Sequence, residues 1–156
     1  MMDLSLNCPY TVLTDSVEQT ESLGRTLAAL FEDAACALPP FIAMYGDLGV
    51  GKTAFVRGVA SVLSPNSLVR SPTFALVNEY RGGKPLFHFD MYRIESEEDL
   101  WSIGFDDYLS RGICLVEWSE NIPFALPEEY LTVTIEKCPD RGADIRRISI
   151  LWKKES

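Results

Sequence analysis

The sequence has 156 residues, 47% of them hydrophobic and 24% charged, which predicts one folded domain spanning residues 1–156 with a sizeable buried core. Its formal net charge of −9 repels phosphate backbones, so tight, direct binding of nucleic acid is not expected to be its main role. The sequence contains no apolar stretch of membrane-spanning length and no basic-then-apolar leader, so we expect a cytoplasmic protein that does not contact a membrane.

The first part of the chain predicts an edge strand, a helix and a buried strand, in that order. Residues 10–13 are a short mixed stretch, and Ser16 with Gln19 three residues later resembles a capping box at the start of a helix. Apolar residues at helical spacing continue across 17–36, and two prolines then end the segment. The apolar run 41–45 has the length of a buried strand.

The most informative stretch is Gly46-Asp47-Leu48-Gly49-Val50-Gly51-Lys52-Thr53, which joins that strand to a predicted helix at 54–63. A G-x-x-x-x-G-K-[ST] sequence between a strand and a helix is typical of a phosphate-binding loop, because its glycines let backbone N–H groups surround an anion. Lys52 is expected to reach the β- and γ-phosphates, and Thr53 to offer its hydroxyl to Mg²⁺. The stretch therefore predicts a nucleoside triphosphate site; a glycine-rich turn without a ligand is the alternative.

The middle of the chain predicts a hairpin followed by short helices. Residues 69–80 begin as a loop and become a strand, and 85–92 return as a second strand after a turn at 81–84. Ser96 can cap an acidic helix, and 103–109 continue towards a second short helix.

The last part of the chain completes a sheet. Residues 112–118 are the second continuous apolar run, which predicts a buried parallel strand. Residues 130–135 and 146–152 alternate with period two and predict an antiparallel pair at the end of the sheet. The expected fold is α/β: a three-layer, P-loop NTPase-like sandwich with a mostly parallel central sheet and antiparallel C-terminal strands.

Two predicted strands end on carboxylates, Asp90 and Glu117. Ligands of open α/β sheets bind at these strand ends, and Glu117 stands where P-loop proteins place their second acidic residue. Such a group can hold Mg²⁺ directly, hold it through water, or position the hydrolytic water. Asp90 is the second candidate; for both residues the alternative is an ordinary strand-end carboxylate.

Other polar and aromatic residues allow two interpretations each. The segment Ser71-Pro72-Thr73 lies where P-loop GTPases carry a nucleotide-dependent switch, but a plain proline turn explains it equally well. His88, between two phenylalanines, is either a core residue or an active-site residue. Trp118 fits packing better than ligand contact. Arg93 and Arg141 could meet phosphate or nucleotide, although exposed arginines are common.

The number and spacing of cysteines and histidines argue against a zinc site. The four cysteines form no C-x-x-C pair, and two of them lie in apolar runs, where buried thiols are common. The chain has a single histidine, which makes a His-based metal site or a Ser-His-Asp triad less favourable. We expect reduced thiols and no zinc.

Taken together, the motifs resemble the TsaE (YjeE) family. The sequences Gly-Asp-Leu-Gly-Val-Gly-Lys-Thr (46–53), Ser-Pro-Thr-Phe (71–74), His-Phe-Asp-Met-Tyr-Arg (88–93) and Leu-Val-Glu-Trp (115–118) occur in the order and spacing of that family. The resemblance implies a bacterial ATPase required for the threonylcarbamoyladenosine modification of tRNAs that read codons starting with A. It further implies that the protein binds the TsaD–TsaB heterodimer, hydrolyses ATP to ADP and phosphate to support its turnover, and meets tRNA only through these partners.

The resemblance also implies roles for single residues. Lys52 and Thr53 would serve the phosphates and Mg²⁺, Glu117 the metal, and Asp90 would be the other essential acid and a candidate metal ligand. Ser71 and Thr73 would belong to a nucleotide-sensing loop.

Two points of the resemblance concern the nucleotide contacts. The adenine contacts are expected near the N-terminal helix and Arg141. Ala54 stands where family members often carry a second threonine, which puts one neighbouring phosphate contact in doubt.

Two other functions fit a small P-loop protein. The first is a small-molecule kinase, but no arginine-rich helical lid is visible between Glu97 and Leu109. The second is a nucleotide-gated binding module without essential hydrolysis, which the sequence does not separate from an ATPase.

Overall fold

The computed structural model describes residues 2–47, 49–72 and 76–155 and contains, in that part of the chain, a seven-stranded mixed sheet with helices on both faces. The elements in chain order are β1 (Tyr10–Thr14), α1 (Val17–Glu32), β2 (Phe41–Tyr45), α2 (Lys52–Leu63), β3 (Val77–Tyr80), β4 (Leu86–Asp90), α3 (Glu97–Ser102), α4 (Phe105–Leu109), β5 (Ile113–Glu117), β6 (Glu129–Lys137) and β7 (Arg146–Lys154).

The strand order across the sheet is β1-β7-β6-β2-β5-β4-β3. Strand β2 lies at the centre with parallel neighbours β5 and β6, and β4 pairs parallel with β5. The β1–β7, β6–β7 and β3–β4 pairs are antiparallel. The predicted α/β architecture, including the hairpin of β3 and β4 and the antiparallel C-terminal pair, is therefore confirmed.

The position of the C-terminal pair differs from the prediction in one respect. Strands β6 and β7 do not end the sheet, because β6 pairs with central β2 and β1 covers the outer side of β7. Alternation with period two predicted that both strands are half-buried, but it does not reveal which neighbour each strand takes.

The two faces of the sheet pack into separate cores. Strand β5 is buried along its whole length, and its alternate residues point to opposite faces: Ile113 and Leu115 towards α1 and α2, Cys114 and Val116 towards α3 and α4. This double burial explains the continuous apolar runs in the sequence. By the same alternation, Glu117 lies on the α2 face.

Helices α1 and α2 approach each other closely through two glycines. A Cβ atom added to Gly58 would lie 2.0 Å from the carbonyl oxygen of Glu21, and one added to Gly24 would lie 2.3 Å from that of Phe55. Because α2 follows the glycine-rich loop directly, this contact fixes the position of the loop as well. At the N-terminus of α1, Ser16 accepts a hydrogen bond from the backbone N–H of Gln19, as the predicted cap requires.

The cysteines are all free thiols, as predicted: Cys114 and Cys138 are buried and Cys8 is exposed. Among the described residues, no helix combines the length and the apolar character that a membrane crossing needs.

Candidate functional site

The glycine-rich loop connects β2 to α2 in a backbone conformation that only glycine adopts easily. Gly49 and Gly51 have φ angles of +76° and +115°. A Cβ atom on either residue would meet nothing within 4 Å, so these glycines serve the course of the backbone rather than close packing. Helix α2 then begins at Lys52 with no side chain capping its first turn. The N–H groups of that turn can therefore bind an anion. Leu48, part of the predicted loop, lies outside the described residues.

Lys52 is buried, with 5% of its surface exposed, and is held at the mouth of the loop. Its ammonium group donates a hydrogen bond to the carbonyl oxygen of Gly46 at 2.7 Å. It also lies 4.0 Å from Oε1 of Glu117 and 4.5 Å from the centre of the Trp118 ring. A carboxylate and an aromatic face thus hold the cation beside the loop.

Asp90 and Glu117 end two neighbouring parallel strands and stand side by side. The register of β4 and β5 pairs them directly, and each is 6% exposed. Oδ1 of Asp90 accepts a hydrogen bond from the backbone N–H of Tyr92 at 2.9 Å, which fixes that carboxylate. Both carboxylates therefore lie at the same edge of the sheet, as their strand-end positions in the sequence led us to expect.

These side chains open into one cavity of about 310 Å³. The residues that line it are Gly49, Gly51, Lys52, Thr53, Ser71, Asp90, Glu117 and Trp118. The structure therefore brings most of the predicted site residues together; Thr73 lies outside the described residues.

The oxygen donors in this cavity fit Mg²⁺ in company with phosphate. Thr53 supplies a hydroxyl, and Asp90 and Glu117 supply carboxylates. Within the described parts of the chain, no cluster of three or more His, Cys, Asp or Glu side chains is placed to hold a metal ion by itself. Mg²⁺ commonly takes one or two carboxylates from the protein and completes its octahedron with water and substrate phosphates, and the donor set here is of that kind.

A second cavity, of about 360 Å³, lies against the other side of the loop. It shares Gly49 and Gly51 with the first cavity, and α1 contributes its N-terminal region. The residues that line it are Asp15, Ser16, Val17, Thr20, Gly49, Val50, Gly51, Ala54, Asp144 and Arg146.

An arginine from β7 holds the loop on this second side. Nε of Arg146 donates to the carbonyl oxygen of Val50 at 2.9 Å. Arg141, the residue proposed from the sequence, is exposed in the turn before β7 and is not among the lining residues of either cavity. Arg146 was not among the predicted site residues, because nothing in the local pattern marks which arginine faces the loop.

His88 and Trp118, for which the sequence allowed two interpretations each, both lie in the region of the site. His88 is fully buried and its Nε2 is hydrogen-bonded to Oε2 of Glu117. Its Nδ1 lies 3.2 Å from the hydroxyl of Tyr80. Trp118 has a left-handed backbone (φ 59°, ψ 43°), and its ring packs against Tyr92 in a tilted arrangement and also faces Lys52. Trp118 directly follows Glu117 in the sequence, whereas nothing local to His88 marks its carboxylate partner on the neighbouring strand.

Comparisons with known proteins agree with this geometry. A family model described as "Threonylcarbamoyl adenosine biosynthesis protein TsaE" matches residues 14–147. The protein named tRNA threonylcarbamoyladenosine biosynthesis protein TsaE from Bacillus subtilis is 37% identical over 134 residues, which cover 85% of this chain and 80% of the relative. The protein of the same name from Treponema pallidum is 33% identical over 131 residues, 83% of this chain and 93% of the relative. The crystal structure of Bacillus subtilis YdiB superposes with a TM-score of 0.72 at 34% identity, covering 92% of this chain and 84% of that one.

Proposed function

This chain belongs to the TsaE family, and from that premise we propose that it is a Mg²⁺-dependent ATPase serving the threonylcarbamoyladenosine modification of tRNA. It hydrolyses ATP to ADP and phosphate, slowly when alone, and acts in the cytoplasm with a complex of TsaD and TsaB homologues. The observation that carries the proposal is the convergence of Lys52, Thr53, Asp90 and Glu117 on one cavity under the glycine-rich loop.

The proposed mechanism divides the work among these residues. The N–H groups at the start of α2 and the Lys52 ammonium bind the phosphates, and Thr53 with one or both carboxylates holds the metal. Bound Mg²⁺ neutralises charge on the β- and γ-phosphates. Oε2 of Glu117 is occupied by His88, whereas Oε1 faces Lys52, so Oε1 is the atom that meets a metal or orients a water.

We place the nucleoside in the second cavity, on the opposite side of the loop from the carboxylates. The two cavities share Gly49 and Gly51, so a nucleotide whose phosphates follow the loop reaches both. In this arrangement Arg146 and Ala54 face the nucleoside end, and Ala54 offers no hydroxyl there. A contact from Arg141 to adenine stays a prediction.

The acidity of the chain supports an indirect relation to tRNA. A protein of formal net charge −9 gains little from contact with a phosphate backbone. We therefore assign tRNA contact to the TsaD and TsaB partners, and to this chain the nucleotide-dependent turnover of their complex.

Reconstitution of tRNA modification with TsaD and TsaB tests the proposal. Modification is expected to stall after an initial burst without this chain and to continue when the chain and ATP are supplied. Failure of the purified protein both to bind ATP and to associate with TsaD–TsaB contradicts the proposal.

Glu117→Ala separates an ATPase from a nucleotide-gated module, since full modification with hydrolysis abolished favours the module. Phosphoryl transfer to a metabolite would instead identify a kinase.

A further inference from the structure

We propose that Tyr80 and His88 are positioning residues that tie the Glu117 carboxylate to the backbone of Arg70, immediately before the 71–73 segment. The kinetic consequence rests on the proposed ATPase function, but the tie itself does not. Neither residue lines the cavity, so both act through Glu117.

The tie is a continuous chain of hydrogen bonds that is buried at His88 and part-buried at Arg70. At one end, Nε2 of His88 is bonded to Oε2 of Glu117. In the middle, Nδ1 of His88 lies 3.2 Å from the Tyr80 hydroxyl. At the other end, the Tyr80 oxygen lies 3.3 Å from the backbone nitrogen of Arg70 and 3.1 Å from its carbonyl oxygen.

With Glu117 ionised and His88 neutral, the hydrogen bonds of the tie run in one direction. An ionised carboxylate only accepts, so Nε2 of His88 donates to Glu117. A neutral imidazole carries one N–H, so Nδ1 accepts the hydroxyl hydrogen of Tyr80. The Tyr80 oxygen in turn accepts the N–H of Arg70. The Arg70 carbonyl is a second acceptor within reach of the Tyr80 hydroxyl, at 3.1 Å. It also accepts a hydrogen bond from the amide of Asn78 at 3.0 Å, so it keeps a donor when the tyrosine hydrogen goes to Nδ1.

Ser71, Pro72 and Leu76, which lie close to Arg70 in the sequence, also connect to the site. Ser71 lines the cavity. The N–H of Leu76 donates to the carbonyl of Pro72 at 2.7 Å, and the N–H of Asp90 donates to the carbonyl of Leu76 at 3.0 Å. Pro72 is thus linked through Leu76 to Asp90, and Arg70 is linked through the tie to Glu117. A shift of the backbone at Arg70 breaks the bond to Tyr80 and loosens the orientation of Glu117, because buried polar networks are favourable only when every member is satisfied.

Three substitutions test the individual hydrogen bonds of the tie. Tyr80→Phe removes only the hydroxyl. His88→Gln can place an amide donor near Nε2 and keep the bond to Glu117, whereas His88→Asn places its amide near Nδ1 and loses that bond. Tyr108→Phe is the matched control, because its ring packs on Phe87 and Phe89 on the other face of the sheet.

Steady-state hydrolysis of ATP in the presence of TsaD–TsaB gives the kinetic test. We expect kcat to fall about fivefold in Tyr80→Phe and about 10- to 100-fold in His88→Asn, the range for lost orientation of a ligand side chain. His88→Gln should recover part of the loss, and KM for ATP should stay unchanged. Equal losses in both His88 variants, or a raised KM with constant kcat, contradict the tie.

The imidazole nitrogens give a readout that does not depend on hydrolysis. His88 is the single histidine of the chain, so ¹⁵N NMR of labelled histidine reports on this residue alone. We expect the tautomer with hydrogen on Nε2, and a changed Nδ1 shift in Tyr80→Phe but not in Tyr108→Phe. Hydrogen on Nδ1, or an unchanged Nδ1 shift in Tyr80→Phe, overturns the proposal. If the wild type fails to hydrolyse ATP, the proposed function is wrong, but the ¹⁵N spectrum still tests the tie. Tyr80→Phe keeps the aromatic ring, so this variant can test the tie even where a His88 variant does not fold.

Discussion

Replacing Gly58 by alanine tests whether the close contact of α1 and α2 holds the phosphate loop in place. Gly58 lies inside α2, where alanine ordinarily stabilises a helix by about 1 kcal/mol relative to glycine. The added Cβ, however, would lie 2.0 Å from the carbonyl oxygen of Glu21 and 2.8 Å from its carbonyl carbon. These are backbone atoms, so no side-chain rotation relieves the overlap.

The two effects have opposite signs, and the structure decides between them. Overpacking in a close-packed interior costs about 1–3 kcal/mol, and a clash with backbone falls at the upper end. After subtraction of the gain in helix propensity, we expect a net loss of about 2 kcal/mol of unfolding free energy. For a chain of this size that corresponds to a decrease of about 4–8 °C in Tm.

Urea unfolding of the wild type and two glycine variants measures the difference. Gly83→Ala is the matched control, because a Cβ there meets nothing within 4 Å; its stability should stay within about 0.5 kcal/mol of the wild type. Since α2 carries Lys52 at its first position, Gly58→Ala should also weaken ATP binding. A Gly58→Ala protein as stable as the wild type or more so would refute the close helix contact.

Other predictions concern the metal, the loop and alkaline pH. Removal of Mg²⁺ with EDTA should weaken ATP binding by about tenfold or more in calorimetric titrations, because two carboxylates line the phosphate cavity. Arg146→Met should raise the Kd for ATP about fivefold by releasing the Val50 carbonyl, whereas exposed Arg147→Met should not. Burial raises the pKa of Cys114 from 9.0 to about 12, so between pH 9 and 12 the unfolded chain loses this proton while the folded chain keeps it. Unfolding free energy should then fall by up to about 1.4 kcal/mol per pH unit in urea titrations, and Cys114→Ala should reduce that slope.

The central layer could be predicted from the sequence because its signals are local. Continuous apolar runs such as 41–45 and 113–117 identify buried parallel strands, and the G-x-x-x-x-G-K-T stretch between strand and helix identifies the loop. Which strand neighbours which is decided by packing between distant parts of the chain. For this reason the place of β6 beside β2, with β1 outside β7, was not foreseen.

The site likewise contains residues that the sequence predicts and residues that it does not. Lys52, Asp90 and Glu117 follow from motif and strand-end position, and the structure brings them together. The partners of Glu117 do not follow, because Tyr80 and His88 meet only through the pairing of β3 with β4 and of β4 with β5. A histidine between two phenylalanines carries no local sign that its ring reaches a carboxylate on the next strand.

The charges around the cavity explain why the proposed ATPase should require its metal together with its nucleotide. One ammonium, that of Lys52, faces the two carboxylates of Asp90 and Glu117, so acidic side chains outnumber basic ones in the lining. Like charges about 4 Å apart repel by roughly 4 kcal/mol at a partly buried site, and a triphosphate adds several more negative charges. Lys52 cannot balance them, since it is already held near Glu117. A divalent cation held by these carboxylates would offset the negative charge of the triphosphate. The side-by-side register of β4 and β5 therefore favours the metal–nucleotide complex over the free nucleotide.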